Sequence, residues 1–462
     1  MFTQARDYGM IMPDQITKEG CFIKVFGSNS NRRRQDPPET QEELTQQLPE
    51  EGKPKKKRKK NRKLRIITIL LCIVLFFEAA YCFLVFTDIS TIKYWREVYI
   101  DTAMSTLSHQ WLATAFLPEY MVNNQQLKNE YINLAGVGHN SERPKPTDPD
   151  TTVEPTEPVD PHSDAAQDAF YETFWELNRT SFEEYLDDHP DVLRNGWDAI
   201  YINEAGLDDE GTSIYTSMGE QVLAIDAKNK ILLIRVAGSK EGNGYQGVLA
   251  VAKDPTLLRC GPSAGIGSYG QTLGELVKRN DGVLGIVGSG FIDPNGNGTG
   301  GIVAGYVMCS GTSYGTHDLR AGTKRLELTQ DNKLYVIDSF EPVASDVTDA
   351  VEFSPALIVD GELMVSGFSG WGGVHPRAAI GQSERGEILM LIIEGRMVGR
   401  SIGTDIEECA EILKRHKCYT AMNLDGGTSA VMWYDGEYVT KCSNTGIESR
   451  LLPNAWVYGY SE

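Results

Sequence analysis

The most apolar stretch of the chain runs from Leu64 to Phe86, where Ile66-Ile67-Thr68-Ile69-Leu70-Leu71-Cys72-Ile73-Val74-Leu75-Phe76-Phe77 is continued by Ala79-Ala80-Tyr81-Cys82-Phe83-Leu84-Val85-Phe86. It has the ~20 residues that a helix needs to cross the hydrocarbon of a bilayer, and Glu78 is the one charge inside it. The flank decides between a membrane span and a buried core helix, because Lys53 to Arg65 is almost wholly Lys and Arg. By the positive-inside rule this cluster predicts a cytoplasmic N-terminus and a large C-terminal domain on the outer side. The span lies far from Met1, behind a long polar region, so it is expected to be a retained anchor rather than a cleaved signal peptide. Residues 1–63 mix Gln, Glu, Pro, Arg and Lys without apolar periodicity and read as disordered.

Beyond the span, Trp95, Tyr99, Ile100, Met104, Leu107, Trp111, Leu112 and Phe116 predict a helical stalk near the bilayer surface, or a packing element, over 87–140. Residues 141–164 are rich in Pro, Thr, Asp and Glu and read as a stiff, solvated linker. A helix over Ala165–Leu186 is expected in a lead-in, 165–212, to a strand-rich domain over 213–462. Strand-length apolar runs follow at Val222–Ile225, Ile231–Ile234, Val248–Val251 and Ile302–Val307. Asp360-Gly361 and Asp435-Gly436 each separate two apolar segments, the strongest local hairpin signal. Near the end, Ile388–Ile393 reads as a strand, Thr404-Asp405-Ile406-Glu407 as a capping box, and Ile406, Ala410 and Leu413 as the buried stripe of a helix. Ala421–Leu424 then completes a strand-helix-strand unit whose strands are expected to be parallel neighbours. The class is α+β with a mixed sheet, preceded by one transmembrane helix.

Charge sharpens the picture. Through Thr87 the chain carries 16 Lys+Arg and 10 Asp+Glu, a balance of +6, which leaves −26 from Asp88 onward. Such a domain should repel polyanions, which excludes nucleic acid as a partner unless a local basic site recruits one. Eight cysteines and seven histidines show no zinc spacing and no Cys–His nucleophile signature.

Glu394-Gly395-Arg396 and Asp425-Gly426-Gly427 fall at the carboxyl ends of the two strands of the unit, where open sheets gather ligands. Two carboxylates a strand apart suit glycosidic cleavage. Glycines after Asp425 let backbone N–H groups approach an anion, and Thr428 and Ser429 add hydroxyl donors. Singly, each piece has a structural reading: Asp-Gly-Gly is usually a turn, Glu394 would pair Arg396, and Arg377 would be a surface charge. In combination, Pro376-Arg377-Ala378-Ala379-Ile380-Gly381-Gln382, Glu394-Gly395-Arg396 and Asn423-Leu424-Asp425-Gly426-Gly427-Thr428-Ser429-Ala430 resemble the phosphodiester glycosidase family, the relatives of the lysosomal enzyme that uncovers mannose 6-phosphate. Tyr245-Gln246-Gly247, Ser289-Gly290-Phe291 and Asp293-Pro294-Asn295-Gly296 resemble its N-terminal half, so the likeness covers about Ser213 to Tyr460. The chain departs from the family at Val287, where members carry Asn, and at Ala378, where they carry Thr.

The resemblance implies hydrolysis of a sugar-1-phosphodiester, with no cofactor. It implies Asp425 and Glu394 as the carboxylates, with Arg377, Arg396, Asn423, Gly426, Gly427, Thr428, Ser429, Ser289 and Gly290 against the sugar or phosphate. An envelope or exopolysaccharide glycan is the substrate expected at a cell surface. The competing reading is a non-catalytic module that binds an anionic glycan or assists its assembly, for which Val287 is the best support. Asp293, Asn295 and Asn297 followed by Gly298 copy half of a calcium loop, but Ala304 stands where its glutamate belongs, so a turn that joins two strands, and is a candidate rim of the active site, is preferred to a metal site.

Overall fold

The computed structural model describes residues 62–106, 109–143, 160–240, 243–294, 298–367 and 370–460. The predicted disordered tail up to residue 61 and most of the predicted linker, 144–159, lie outside the described residues. Contacts divide the chain into Met1–Thr68 and Ile69–Glu462. In the first unit only the opening turns of helix α1 (Arg62–Phe86) are described, where the Thr68 hydroxyl donates to the Leu64 carbonyl at 2.9 Å. Among the described residues α1 is the one helix long and apolar enough to cross a membrane. Its Leu, Ile and Phe side chains point outward on all sides, as a lipid-facing helix requires and a core helix does not.

The second unit continues from α1 into α2 (Ser90–Met104), α3 (Trp111–Phe116) and α4 (Glu119–Ala135). Arg96 Nη1 donates to the carbonyls of Leu84, Val85 and Thr87 at 3.2, 2.7 and 3.1 Å, which satisfies acceptors that the end of α1 leaves open. Ile100, Ala103, Ala113 and Val122 form a small core between α2, α3 and α4. Asp101 is buried beside it, accepting 2.8 Å hydrogen bonds from Gln125 Nε2 and Asn129 Nδ2, and burial pushes its carboxyl up to about 6. Of the two readings of this segment, stalk or packing element, the helices form the second, a packed helical cap.

Four further helices, α5 (Asp164–Thr173), α6 (Arg179–Asp188), α7 (Leu273–Arg279) and α8 (Ile406–Arg415), accompany three sheets. The predicted single helix 165–186 is two, because the Asn178 side chain accepts from Ser181 N and caps a new start. The largest sheet has nine strands in the order Tyr201–Asn203, Val222–Asp226, Ile231–Lys240, Asn243–Ala252, Ile388–Ile393, Arg377–Ser383, Cys418–Asn423, Ala356–Val359, Glu362–Leu363. One face packs on α5, α6 and α8 through Phe170, Phe174, Phe182, Ile406, Ala410 and Leu413. The other buries Val248, Ile380, Ile392 and Met422 in a core shared with α7 and the two five-stranded sheets.

The α+β class holds, with one change in the sheet. The Arg377–Ser383 strand lies between Ile388–Ile393 and Cys418–Asn423, antiparallel to both, so the expected parallel neighbours are not paired and every ladder among the described residues is antiparallel. A turn at Gly386, with φ +93°, closes the local hairpin, and α8 then carries the chain across that inserted strand. The N-cap of α8 is Asp405, whose carboxylate accepts from Glu408 N at 2.9 Å, one residue later than the predicted Thr404. Both Asp-Gly hairpins form, with φ of 48° and 81° at Asp360-Gly361 and 45° and 99° at Asp435-Gly436. The run at Ile302–Val307 yields a strand only from Tyr306, since Gly305 turns at φ +89°. Ser141–Arg143, read as the start of the linker, is instead bound to a sheet: Ser141 N donates to Val336 O at 2.9 Å and Arg143 pairs with Asp346 at 2.7 Å.

Candidate active site

The start of the Arg377–Ser383 strand lies at the same end of the sheet as the ends of its two neighbours, because antiparallel pairing sets first residues beside last ones. A cleft of about 900 Å³ opens there. Asp425, half-buried, lines it. Desolvation pushes its carboxyl up to about 6, against the Ser429 hydroxyl, Arg450 and Arg396, which pull it down, and with Asp293, which adds to the rise. A carboxyl poised there is near the working range of a general acid or base. Asn423 also lines the cleft: its Nδ2 donates to Ser354 O at 2.9 Å, while Oδ1 is buried without a partner among the described residues. That unpaired acceptor is a ready seat for a substrate hydroxyl.

The turn after Asp425 is closer to the expected cradle in shape than in chemistry. A Cβ at Gly426 would lie 2.7 Å from the Pro376 carbonyl oxygen, so the approach requires glycine, and Gly427 sits at φ +61°. The Gly427 N–H, expected to face phosphate, is used within the fold, donating to Pro376 O at 3.0 Å. The Gly426 N–H keeps no protein partner among the described residues. Thr428 lines the cleft, as does the buried Ser429.

Arg377 is buried at the cleft wall, and two of its three nitrogens are occupied. Nε donates to Thr404 O at 3.0 Å, and Nη2 to Gly372 O and Gly373 O at 2.9 and 2.6 Å. It braces the loops around the site, and the two-pronged fork expected to hold phosphate is not available; Nη1 remains. Arg377→Lys is accordingly expected to lower the melting temperature as well as impair the site, since the single nitrogen of an ammonium cannot occupy both the Nε position beside Thr404 O and the Nη2 position beside Gly372 O and Gly373 O, and each orphaned carbonyl costs roughly 1–3 kcal/mol. A thermal melt checks this, and an unchanged midpoint would contradict the bracing role. Arg396, at φ +61°, points into the cleft and donates from Nη2 to His375 Nδ1 at 3.0 Å. His375 Nε2 meets Ser105 Oγ of the helical cap at 2.6 Å. Burial, then Arg377 and Arg396, hold the His375 pKa well below its usual value, so the ring is neutral, and the network assigns its proton to Nε2.

Asp293 and Arg450 line the cleft as an ion pair, with Arg450 also 4.7 Å over the Phe291 ring. Burial pushes the Asp293 carboxyl up, but hydrogen bonds from Arg450 and from Gly298 N at 2.6 Å outweigh it, and the group lies below its ordinary range. Those bonds occupy the oxygens that the half calcium loop would offer; Asn295 and Asn297 lie outside the described residues. Ser289 and Gly290 do not reach the cleft: Ser289 is fully buried, exchanging 2.8 Å bonds with Asn454. Val287 is a core residue paired with Ala455. Glu394 is fully buried and also stays out of the cleft, accepting from Arg400 Nε at 2.6 Å, Arg400 Nη2 at 3.0 Å, Lys441 N at 2.7 Å and Gln246 Nε2 at 3.2 Å. The arrangement thus gathers Asp425, Asn423, Gly426, Gly427, Thr428, Ser429, Arg377 and Arg396 and leaves out Glu394, Ser289 and Gly290. It includes Asp293, whose turn the sequence reading offered as a rim of the site, and adds His375, Arg450 and the helical cap, which that reading did not place there, although His375-Pro376 directly precedes Arg377.

Residues 280–458 match the phosphodiester glycosidase family. Over 192 residues the chain is 25% identical to YomE, an SPbeta prophage-derived protein of Bacillus subtilis, covering 39% of this chain but only 29% of that relative. Among solved structures, the zebrafish N-acetylglucosamine-1-phosphodiester alpha-N-acetylglucosaminidase catalytic domain, auto-inhibited by its pro-peptide, aligns at 14% identity and a TM-score of 0.41 over 50% of this chain and 83% of that one. A putative exported protein from Burkholderia pseudomallei aligns at 14% identity and a TM-score of 0.38 over 48% and 75%. The stretch that matches the family, 280–458, holds all of the cleft's residues except those contributed by α2, α3 and their connection.

Proposed function

We propose that this chain is a membrane-anchored hydrolase that cleaves the sugar from a sugar-1-phosphodiester, leaving a free sugar and a phosphomonoester, with its domain outside the cell membrane and an envelope or exopolysaccharide glycan as its setting. The observation that carries this reading is the convergence of Arg377, Arg396 and Arg450 on one cleft with Asp425, whose carboxyl is pushed up to about 6. On a domain that is strongly acidic overall, three guanidiniums against the two carboxylates Asp293 and Asp425 make a local basic site that suits an anionic diester.

Phosphate is a better leaving group than an alcohol, so the site needs charge stabilisation of the departing group more than a strong acid. Arg396, the remaining nitrogen of Arg377 and the Gly426 N–H supply it. Asp425 acts at the anomeric carbon, directly or by activating water, and its raised pKa lets it exchange a proton near neutral pH. Asn423 Oδ1 accepts a sugar hydroxyl. Neutral His375 orients Arg396 without adding a charge.

The test is release of reducing sugar from synthetic sugar-1-phosphodiesters by the purified full chain, with Asp425→Asn as control. Release by the wild type and not by the variant supports the hydrolase; tight binding without turnover supports a glycan-binding module instead. For topology, protease added to intact cells is expected to remove epitopes beyond Asp88 and spare those before Lys63. Protection of the C-terminal domain would refute the outward placement.

A further inference from the structure

We infer that the diester this cleft takes is a membrane lipid, a sugar-1-phosphodiester whose second phosphate ester carries a long apolar chain and which enters from the bilayer spanned by α1. This inference rests on the hydrolase reading above and adds the class of its leaving group.

One wall of the cleft does not come from the phosphodiester glycosidase domain. Tyr99, Thr102 and Ala103 of α2 and Leu112 of α3 line it. These helices are tied to the membrane span at several points. Arg96 caps the carbonyl end of α1 and Tyr81 Oη donates to Phe116 O at 2.7 Å, while Tyr99 Oη, donating to Leu112 O at 2.7 Å, ties α2 to α3. Tyr81 lies five residues inside the end of α1, about 8 Å of helix at 1.5 Å per residue, so the C-terminal end of α3 reaches below the end of the span. Trp111 and Phe116 of the same six-residue helix are 56% and 54% exposed, and Tyr120 just beyond is 55% exposed. Large aromatics at that depth match the belt that seats proteins at the boundary of headgroup and acyl chain.

The wall is also fixed to the catalytic side. Ser105 Oγ meets His375 Nε2 at 2.6 Å, and Thr102 Oγ1 accepts from Val374 N at 3.2 Å. A Cβ at Gly373 would come within 2.6–2.8 Å of Thr102, so the loop and α2 are in closest approach. The cleft is thereby held next to the membrane surface. Its lining joins two kinds of surface, the guanidiniums and Asp425 from the domain and Tyr99 and Leu112 from α2 and α3. An amphiphile that joins a sugar and an anionic phosphate to an apolar chain matches both surfaces. A water-soluble diester would gain nothing from an aromatic helix at bilayer depth.

The experiment uses the full chain reconstituted in phosphatidylcholine nanodiscs. The probes are hexose and N-acetylhexosamine 1-phosphates, each as a methyl diester in solution and as a hexadecyl diester in the disc, with sugar release as the readout. The hexadecyl diester is expected to show a kcat/KM at least about tenfold higher, and Phe116→Glu or Trp111→Glu, which place a charge at the interface on exposed positions, are expected to bring the ratio of the two toward one. Equal rates on both diesters, or a ratio unmoved by both substitutions, would overturn the lipid assignment while leaving the hydrolase standing. Turnover of neither diester would remove the hydrolase reading and the lipid assignment together.

Discussion

Asp425→Asn is expected to eliminate sugar release, by on the order of 10³-fold or more, and at the same time to make the protein more stable above neutral pH. The rate effect follows from the cleft, where Asp425 is the carboxyl with a raised pKa and Asp293 is held ionised by Arg450. The stability effect follows from linkage. The folded carboxyl titrates at about 6 against an ordinary 3.8, so the native state binds the proton more tightly than the unfolded one. Its contribution is fully present below about pH 4 and is lost as the pH rises through 6. At pH 8 the ionised carboxylate costs at most about 3 kcal/mol, and less where solvent enters through the cleft. An amide of the same shape carries no such cost. Thermal melts should therefore show a higher midpoint for the variant at pH 8 and none at pH 4, alongside the sugar assay. Full turnover would take Asp425 out of the chemistry, and equal midpoints at pH 8 would show its surroundings to be wet.

What the sequence made legible was what local pattern controls. Asp425-Gly426-Gly427 stood out because a strand ends there and only glycine tolerates the approach of Pro376 O to Gly426, and the residues of that turn do face the cleft. The Asp-Gly hairpins and the apolar α1 are equally local. The sheet order was not legible, since Ile388–Ile393 and Cys418–Asn423 carry the same apolar text whether they touch or flank Arg377–Ser383. Arg450 and Asp293, far apart in sequence, meet only through the tertiary fold. The part played by α2 was further out of reach, because Ser105 and His375 are 270 residues apart and nothing in the amphipathic pattern of α2 names its partner. Arg377 was read by residue type as a phosphate ligand, whereas its carbonyl partners are backbone groups that no sequence pattern announces.

Glu394 is the sharpest case, and Arg400→Ala is expected to lower stability by about 3–5 kcal/mol, the cost of breaking a buried pair by removing one partner. The turn in which Ser401 N donates to Met397 O at 2.9 Å folds Arg400 back onto Glu394, and Ser401 Oγ fixes it by donating to the Glu394 carbonyl at 2.6 Å. The pair is asymmetric: the Glu394 side chain is 0% exposed and Arg400 22%. Removing the arginine leaves a carboxylate in a dry site with only the Lys441 N–H and Gln246 Nε2 as donors. Removing the charge at Glu394 instead leaves a guanidinium that solvent and Asp208 still serve. Arg400→Ala should therefore destabilise more than Glu394→Gln, which urea unfolding of the two variants would rank. Because Glu394 does not line the cleft, Glu394→Gln is further expected to keep most of its turnover at temperatures where it is folded, in contrast to Asp425→Asn. A Glu394→Gln variant that melts normally yet loses turnover as fully as Asp425→Asn would return Glu394 to the chemistry, and with it the two-carboxylate mechanism that the motif spacing suggests.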